Sequence, residues 1–185
     1  MHIHSDQSLQ LPASVMTIGA LDGVHYGHQS LIKSAKKRAI DLGVPLVVYT
    51  FDPPPRVFFS NVRLLTPLPD KIKRLRILGV DHVVVAPFDI EYVNRNVCSF
   101  LEELTDLNPL EVWAGTDFHF GKNRAGNIFT LRNHFVVRVL EPVRCSMGEI
   151  ISSSRIRSLM NQNLFNEAEQ LLGWKMISQA FEQVN

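Results

Sequence analysis

The residues of this sequence best suited to chemistry are two histidines, His25 and His28, with Gly27 between them. They end a segment, residues 19–28, that follows a short apolar run and opens a stretch with helical periodicity. Each imidazole can donate a hydrogen bond to a phosphate oxygen, and it donates more strongly when protonated. Glycine lets the backbone approach a phosphate, and a helix N-terminus offers unpaired N–H groups. These properties suit a phosphate that gains charge during in-line displacement, where catalysis is mainly positioning and electrostatics.

Two other interpretations of the histidine segment stay open. The first is a solvated turn that carries two incidental histidines, although the position after an apolar strand and before an amphipathic helix argues against it. The second is metal ligation by His25 and His28. It is the weaker of the two, because no third histidine, cysteine or carboxylate stands at a recognisable ligand spacing. The sequence therefore predicts no metal site built from protein ligands.

A second candidate segment has the sequence ISSSRIR at residues 151–157. Serines that precede a helix are typical N-caps, whereas Arg155 and Arg157 near a helix N-terminus oppose the helix dipole. A nearby anion would explain these arginines, since hydroxyls, backbone N–H groups and a guanidinium together can hold the phosphates of ATP and the departing pyrophosphate. An ordinary capped helix with exposed arginines is the alternative. The two arginines point in different directions on a helix, so we expect one of them to face the phosphates.

Two further loops follow predicted strands, at residues 50–56 and 115–127. The second loop combines an acid, aromatic and basic residues and glycines. Asp117 can bond a ribose hydroxyl or an adenine amine, and Phe118 or Phe120 can stack on a ring. The alternative for the two phenylalanines is that one of them belongs to the core.

The elements that must position these residues can be read from hydrophobic periodicity. Apolar or β-rich runs predict five strands, at 15–18, 46–51, 82–86, 111–115 and 136–140. Helical spacing predicts helices at 27–42, 68–78, 97–104, 154–160 and 165–172. This alternation favours an α/β fold with a five-stranded, mainly parallel sheet and helices on both faces. Such sheets bind ligands beyond the carboxyl ends of their strands, which is where the candidate loops lie.

Length, composition and charge indicate the number of domains, the kind of partner and the location of the protein. The chain has 185 residues, of which 45% are hydrophobic, and this suits one compact domain. Its net charge of +1 argues against a nucleic-acid partner. Cys98 and Cys145 form no CxxC pair and indicate free thiols. Residues 1–11 lack the apolar core of a signal peptide, and no apolar run approaches a membrane span, so we expect a cytoplasmic protein with no membrane partner. The oligomeric state stays open.

Taken together, these blocks resemble the N-terminal, FMN-adenylylating domain of the bacterial bifunctional riboflavin kinase/FAD synthetases. The resemblance is collinear from about Val15 to Gly173. Its blocks are GxxDGVHxGHQ, TFxPxP, LLT…K at 64–71, GVD…PFD at 79–89, GxDFxFGxxRxG at 115–126, SSSRIR, and Ala168 to Gly173. The HxGH segment alone marks the nucleotidyltransferase superfamily, whereas the long Gly-Asp-Phe loop and the ordered set of blocks point to flavin.

The resemblance implies a Rossmann-like nucleotidyltransferase fold and transfer of AMP from ATP to FMN, giving FAD and pyrophosphate. Magnesium would accompany ATP, bound through phosphate oxygens and water. The expected catalytic residues are His25, His28, Arg155 and Arg157. The expected ATP-binding residues are Gly19, Asp22, Gly23, Gly27, Asp117, Ser152, Ser153 and Ser154. The expected flavin-binding residues are Phe51, Pro53, Pro55, Phe118 and Phe120.

The resemblance also divides the chain and leaves alternatives. We expect residues 1–13 to be an N-terminal extension, 14–175 the adenylyltransferase domain and 176–185 a tail. The family continues into a riboflavin kinase domain, so we expect this chain not to phosphorylate riboflavin. Leu21 and Pro54 stand where the family usually has phenylalanine and histidine. The alternatives are nucleotidyl transfer to another phosphorylated acceptor, or a catalytically weak protein that binds flavin or nucleotide.

Overall fold

The computed structural model describes residues 1–60 and 62–175, and these form a parallel sheet with helices on both faces. The strands are β1 (His2–Ser5), β2 (Ser14–Ile18), β3 (Leu46–Asp52), β4 (His82–Pro87), β5 (Pro109–Gly115), β6 (His119–Phe120), β7 (Gly126–Asn127) and β8 (Val137–Leu140). The helices are α1 (Tyr26–Leu42), α2 (Pro55–Ser60), α3 (Leu68–Ile77), α4 (Ile90–Val93), α5 (Val97–Asp106), α6 (Ile128–Arg132), α7 (Ser153–Asn161) and α8 (Phe165–Leu172). The α/β class is therefore confirmed.

The main sheet of the described residues has six strands in the order β1-β4-β3-β2-β5-β8, and every pairing is parallel. The sequence predicted five of them. The sixth, β1, lies inside residues 1–13, where we expected an extension, and it pairs residues 2–5 with residues 82–85 at the edge of the sheet. The order reverses at β2, whose neighbours are β3 and β5. The loop after β2 thus begins at the topological switch point, where such sheets bind ligands.

The central strands are apolar on both faces because each face packs against helices. Met16 and Val47 contribute to a cluster that includes residues of α5, whereas Val15 and Val48 contribute to a cluster with α1 on the opposite face. All five residues of β2 are buried. A parallel sheet covered on both sides requires this pattern, and its rigidity fixes the starting points of the candidate loops.

Helix boundaries follow local signals that were visible in the sequence. Gly43 ends α1 in the left-handed region at φ 67°, and its N–H bonds the carbonyl of Ile40. Asn96 caps α5 by accepting the N–H of Ser99 at 2.8 Å. The small helices α7 and α8 pack against each other around a separate apolar cluster that includes Ile156.

The dependence of the fold on α1 can be tested with two isoleucines of that helix. Ile32 is fully buried, whereas Ile40 is 66% exposed. We expect Ile32→Ala to lower the free energy of unfolding by about 2 to 5 kcal/mol, because it removes buried methyl groups and leaves a cavity. Ile40→Ala should change it by no more than about 0.5 kcal/mol. Urea denaturation of both variants measures the difference, and equal losses would contradict the packing described.

Candidate active site

The loop between β2 and α1 has an unusual backbone that is fixed by hydrogen bonds from distant elements. Leu21, Gly23 and Val24 all have positive φ, at 50°, 89° and 43°. The carbonyl of Gly23 accepts a hydrogen bond from Arg74 Nη1 of α3 at 2.8 Å. The carbonyl of Val24 accepts one from the indole Nε1 of Trp174, also at 2.8 Å. Positive φ is costly for side chains other than glycine, so these contacts stabilise a conformation that the loop would not adopt alone.

The same loop is held from its own helix and from the end of α8. Gln29 Nε2 donates to the carbonyl of Val24 at 3.0 Å and to the carbonyl of Leu172 at 2.8 Å. A Cβ on Gly173 would lie 2.7 Å from the ring of Tyr26, so the chain after α8 approaches the loop too closely for a side chain. Gly19, at the end of β2, donates its N–H to the carbonyl of Tyr49. The loop is therefore clamped at both of its ends.

His25 and His28 form a stacked pair at the start of α1. Their ring centroids lie 3.7 Å apart with an angle of 19° between the planes. His25 occupies the N-cap position, and its side chain makes no capping bond. Both Nδ1 atoms are buried without a hydrogen-bond partner among the described residues. A Cβ on Gly27 would lie 3.1 Å from Cε1 of His25, so the glycine leaves room for this ring.

Burial keeps both imidazoles of this pair uncharged. It lowers the pKa of His25 to about 4. It also lowers the pKa of His28 well below its usual value, and the charges of His25 and Lys71 lower it further. Two imidazolium rings at this separation would repel each other, which acts in the same direction. At neutral pH each histidine thus offers one N–H donor and one nitrogen acceptor.

Asp22 joins three segments of the chain. Its Oδ1 accepts the N–H groups of Leu65 and Thr66, each at 3.1 Å, and its Oδ2 pairs with the guanidinium of Arg157 on α7. Burial raises the pKa of this carboxyl, and Arg157 offsets the rise in part. The backbone carbonyl of Asp22 accepts the hydroxyl of Ser153 at 2.8 Å. Every one of these bonds lies within the protein, so the carboxylate supports the site from behind.

The two arginines of the ISSSRIR segment point to different places. Arg157 is buried against the histidine loop, where its Nε donates to the carbonyl of Arg63 at 2.7 Å. Its Nη1 is buried and has no hydrogen-bond partner among the described residues. Arg155 turns away, since it donates to Cys145 Sγ at 3.2 Å and pairs with Glu149. The structure thus brings Arg157, and not Arg155, next to the histidines' loop.

The three serines of the segment occupy the start of α7. Ser152 is the N-cap, and its hydroxyl accepts the N–H of Arg155. Ser153 bonds the carbonyl of Asp22, as described above. Ser154 is exposed, and its hydroxyl accepts a hydrogen bond from Arg56 of α2. Arg56 was missed by sequence reasoning, although a basic residue directly after a proline run in a candidate loop is a usable signal.

Lys71 is a second residue at the site that sequence reasoning missed. It is fully buried, and its Nζ donates to the carbonyls of Ala20 and Phe51 at 3.0 Å each. Those carbonyls stand at the carboxyl ends of β2 and β3. Burial lowers the pKa of Lys71 to about 8, while Asp22 and Asp52 act in the opposite direction. The LLT…K block contained this residue, but helical spacing alone did not indicate its burial.

The predicted flavin residues separate into buried and exposed groups. Phe51 is buried, with edge-on contacts to Tyr49, Phe88 and Tyr92. Phe120 is also buried and lies 4.9 Å from Phe100. These two rings belong to the core, as the alternative interpretation allowed for one of them. Phe118, Pro53 and Pro55 are half-buried or exposed at the loop surface.

Two other phenylalanines present open rings beside the loop after β3. Phe58 and Phe59 of α2 are 38% and 63% exposed, and each makes an edge-on contact with Phe88, at 5.6 and 5.7 Å. Sequence reasoning did not select them, although adjacent phenylalanines in a short polar-flanked segment were a visible signal. Asp117 is exposed at the end of β5, in the loop that follows that strand.

The described residues set limits on metals and membranes. Residues 1–60 and 62–175 contain no group of three histidine, cysteine, aspartate or glutamate side chains placed to hold a metal ion. In the same ranges no helix is long and apolar enough to cross a membrane. The expected cytoplasmic location stays a prediction.

Comparisons with known proteins agree with this geometry. A family model described as FAD synthetase matches residues 7–155. The chain is 49% identical over 179 residues to a Geobacillus thermodenitrificans protein provisionally described as a bifunctional riboflavin kinase/FMN adenylyltransferase, covering 96% of this chain and 100% of the relative. It is 37% identical over 169 residues to the bifunctional riboflavin kinase/FMN adenylyltransferase of Listeria monocytogenes, covering 86% of this chain and 54% of the relative. The chain thus spans about half the length of the Listeria protein.

A solved structure shares the fold. It is described as a macrolide-efflux protein from Streptococcus pneumoniae and superposes with a TM-score of 0.83 at 26% identity, over 94% of this chain and 62% of that chain. The family match over most of the sequence, with relatives described as FMN adenylyltransferases, shows that the chain belongs to the FAD synthetase family, whose nucleotidyltransferases make FAD from FMN and ATP.

Proposed function

We propose that the stacked pair of His25 and His28 is the centre at which this chain transfers AMP from ATP to FMN. The observation that carries this proposal is that both Nδ1 atoms are buried yet unpartnered among the described residues. Buried polar groups are almost always bonded, so unpartnered ones at the start of a helix suit a ligand that completes them. The helix N-terminus adds backbone N–H groups and partial positive charge for a phosphate.

The reaction requires little covalent chemistry from the protein. An oxygen of the FMN phosphate attacks the α-phosphorus of ATP, the bond from that phosphorus to the β-bridging oxygen breaks, and pyrophosphate leaves with the bonding electrons. The attacking oxygen is already anionic, so no general base is needed. The neutral imidazoles of His25 and His28 donate hydrogen bonds to the α-phosphate oxygens, whose charge is redistributed in the transition state. We assign Gly19, Gly23 and Gly27 to shaping the loop that receives the phosphates, since a Cβ on each would crowd the side chain of Leu21, Leu172 or His25, respectively.

The β- and γ-phosphates are assigned to the start of α7. Arg157 has a buried Nη1 free among the described residues. Ser154 lies at the exposed start of α7, where its hydroxyl accepts a hydrogen bond from Arg56 of α2. We assign Ser152 and Ser153 to holding that helix end in place. Asp22 acts through Arg157, because its own oxygens are already bonded within the protein. Arg155 is assigned no phosphate contact, since it pairs with Glu149.

Magnesium fits this proposal as a companion of ATP. The residues around the histidine loop are mostly cationic or neutral, and the Asp22 carboxylate is already paired with Arg157. The chain therefore offers the ion no cage of its own among the described residues. Magnesium would be held by phosphate oxygens and water, where it neutralises phosphate charge.

The flavin is assigned to the surface around α2. Phe58 and Phe59 are partly exposed to solvent, and both contact Phe88, which in turn contacts the buried Phe51. A flat apolar ring system would gain most by covering these exposed rings. We assign Phe118, Pro53 and Pro55 to the rim of this surface and Asp117 to the ribose or adenine of ATP. Phe120 supports Phe118, with ring centroids 5.7 Å apart.

His28→Ala tests the catalytic centre. Incubation of the wild type with ATP, magnesium and FMN should yield FAD, resolved by chromatography. We expect the variant to lose about 100- to 1,000-fold in kcat, the cost typical of removing one donor to the transition state. His134→Ala is the matched control, because His134 is an exposed histidine outside the candidate loops. Wild-type turnover of another phosphorylated acceptor without FAD, or tight FMN binding with no turnover in either protein, would contradict the proposal.

Phe59→Ala tests the flavin surface. We expect the KM for FMN to rise roughly 3- to 10-fold, the loss of one aromatic contact, while the KM for ATP stays unchanged. Phe129→Ala is the control, since Phe129 is a similarly exposed phenylalanine on α6. Steady-state kinetics with each substrate varied in turn measure the effect. An increase in the KM for ATP instead would place the flavin elsewhere.

A further inference from the structure

We propose that Lys71 is a positioning residue for AMP transfer, whose buried ammonium ties the end of β2 to the end of β3 and thereby fixes the histidine loop relative to the flavin-side loop. This inference deepens the proposed function and rests on it. Lys71 lies on α3, and its side chain crosses to the sheet. It touches no surface through which a substrate could reach it, since it is fully buried.

The bonds of Lys71 connect the two loops directly. Its Nζ donates to the carbonyl of Ala20, the second residue after β2, and to the carbonyl of Phe51 in β3, at 3.0 Å each. The hydroxyl of Thr50 lies 3.5 Å from Nζ and itself donates to the carbonyl of Ala20 at 3.1 Å. Ala20 leads into the histidine segment, and Phe51 leads into the loop before Phe58 and Phe59. One cation therefore sets the spacing between the two substrate loops.

Burial of the Lys71 ammonium has a high desolvation cost for a contact that is only structural. Lysine is almost never fully buried unless a carboxylate pairs with it, and Lys71 forms no salt bridge among the described residues. Its bonded acceptors are neutral oxygens, so the desolvation of the ammonium is only partly offset. An apolar side chain of similar length would fill the same space without that penalty. The positive charge of Lys71 must therefore do something other than fill space.

The charges facing Lys71 come from each element around it. Asp22 in the loop after β2 and Asp52 at the end of β3 stabilise the ammonium, whereas burial opposes it and brings its pKa to about 8. On α1, the ammonium in turn lowers the pKa of His28. Arg74, one turn further along α3, bonds the carbonyl of Gly23. Burial is the main reason that His28 stays neutral, and protonated Lys71 adds to it. The same ammonium places positive charge behind the loop that receives the phosphates.

The burial of Lys71 predicts that activity and stability change in opposite directions as the pH rises. Activity should fall as pH rises through about 8, because the neutral amine loses the positive charge and one N–H donor. Stability should rise between about 8 and the ordinary value of 10.5, because over that window the unfolded chain binds a proton that the folded chain does not. If Lys71 served stability alone, activity and stability would change in the same direction as the pH rises.

Lys71→Met tests the proposal, with Lys73→Met as the control, since Lys73 lies on the same helix and is exposed. For Lys71→Met we expect a melting temperature at pH 7 equal to or above that of the wild type. We also expect a kcat lower by about 10- to 100-fold, in line with the cost of displaced reacting groups. The rise in wild-type stability between pH 8 and 10.5, followed by denaturant titration, should disappear in this variant. Lys73→Met should match the wild type throughout.

Lys71→Arg provides a second test of the proposal if the methionine variant does not fold. Arginine keeps its charge at all accessible pH values, so the fall in activity above pH 8 should vanish. An unchanged alkaline fall in this variant, or wild-type kcat in Lys71→Met, overturns the proposal. Failure of the wild type to form FAD would instead refute the proposed function, and the stability titration would still report on Lys71.

Discussion

The buried ion pair between Asp22 and Arg157 is the contact on which the rest of the site depends. It joins the loop after β2 to α7, and through the N–H groups of Leu65 and Thr66 it also joins the segment before α3. A carboxylate and a guanidinium at such burial must remain paired, because either one alone would be an uncompensated charge in the interior. The histidine loop and the start of α7 are therefore positioned as one unit, although 135 residues separate the two partners.

Positive charge beside the histidine loop is supplied by residues other than the histidines. Lys71 and Arg74 are buried, and their hydrogen bonds end on neutral oxygens of Ala20, Phe51, Gly23 and Thr66. This leaves a positive potential in a region of low dielectric, where an anion gains more than it would in water. Burial keeps His25 and His28 neutral, and for His28 the charges of His25 and Lys71 act in the same direction. A bound phosphate would oppose that effect and strengthen the donors at the moment they are needed.

Sequence patterns predicted the longer strands and helices because most of the relevant signals are local, but they did not predict the short elements α2, α4, α6, β6 and β7. Apolar runs marked five strands, and Gly43 and Asn96 marked helix ends. They did not predict β1, because HIHS is an edge strand with exposed residues whose formation depends on pairing with β4, about 80 residues away. Sequence patterns also did not predict that Arg157, Lys71 and Phe51 are buried. Helical spacing shows that two arginines diverge, but only distant partners decide which one is buried.

Two of the departures from the family pattern, Leu21 and Pro54, lie among the residues that support the site. Leu21 is buried, with φ 50°, in the cluster between the sheet and α1, so it shapes the histidine loop from inside. Pro54 is buried directly before α2, where its carbonyl accepts the N–H of Val57. Neither position removes a donor from the histidine pair or from α7. The alternative of a catalytically weak binder rested on these two residues, and neither of them replaces a group that we assign to the phosphates.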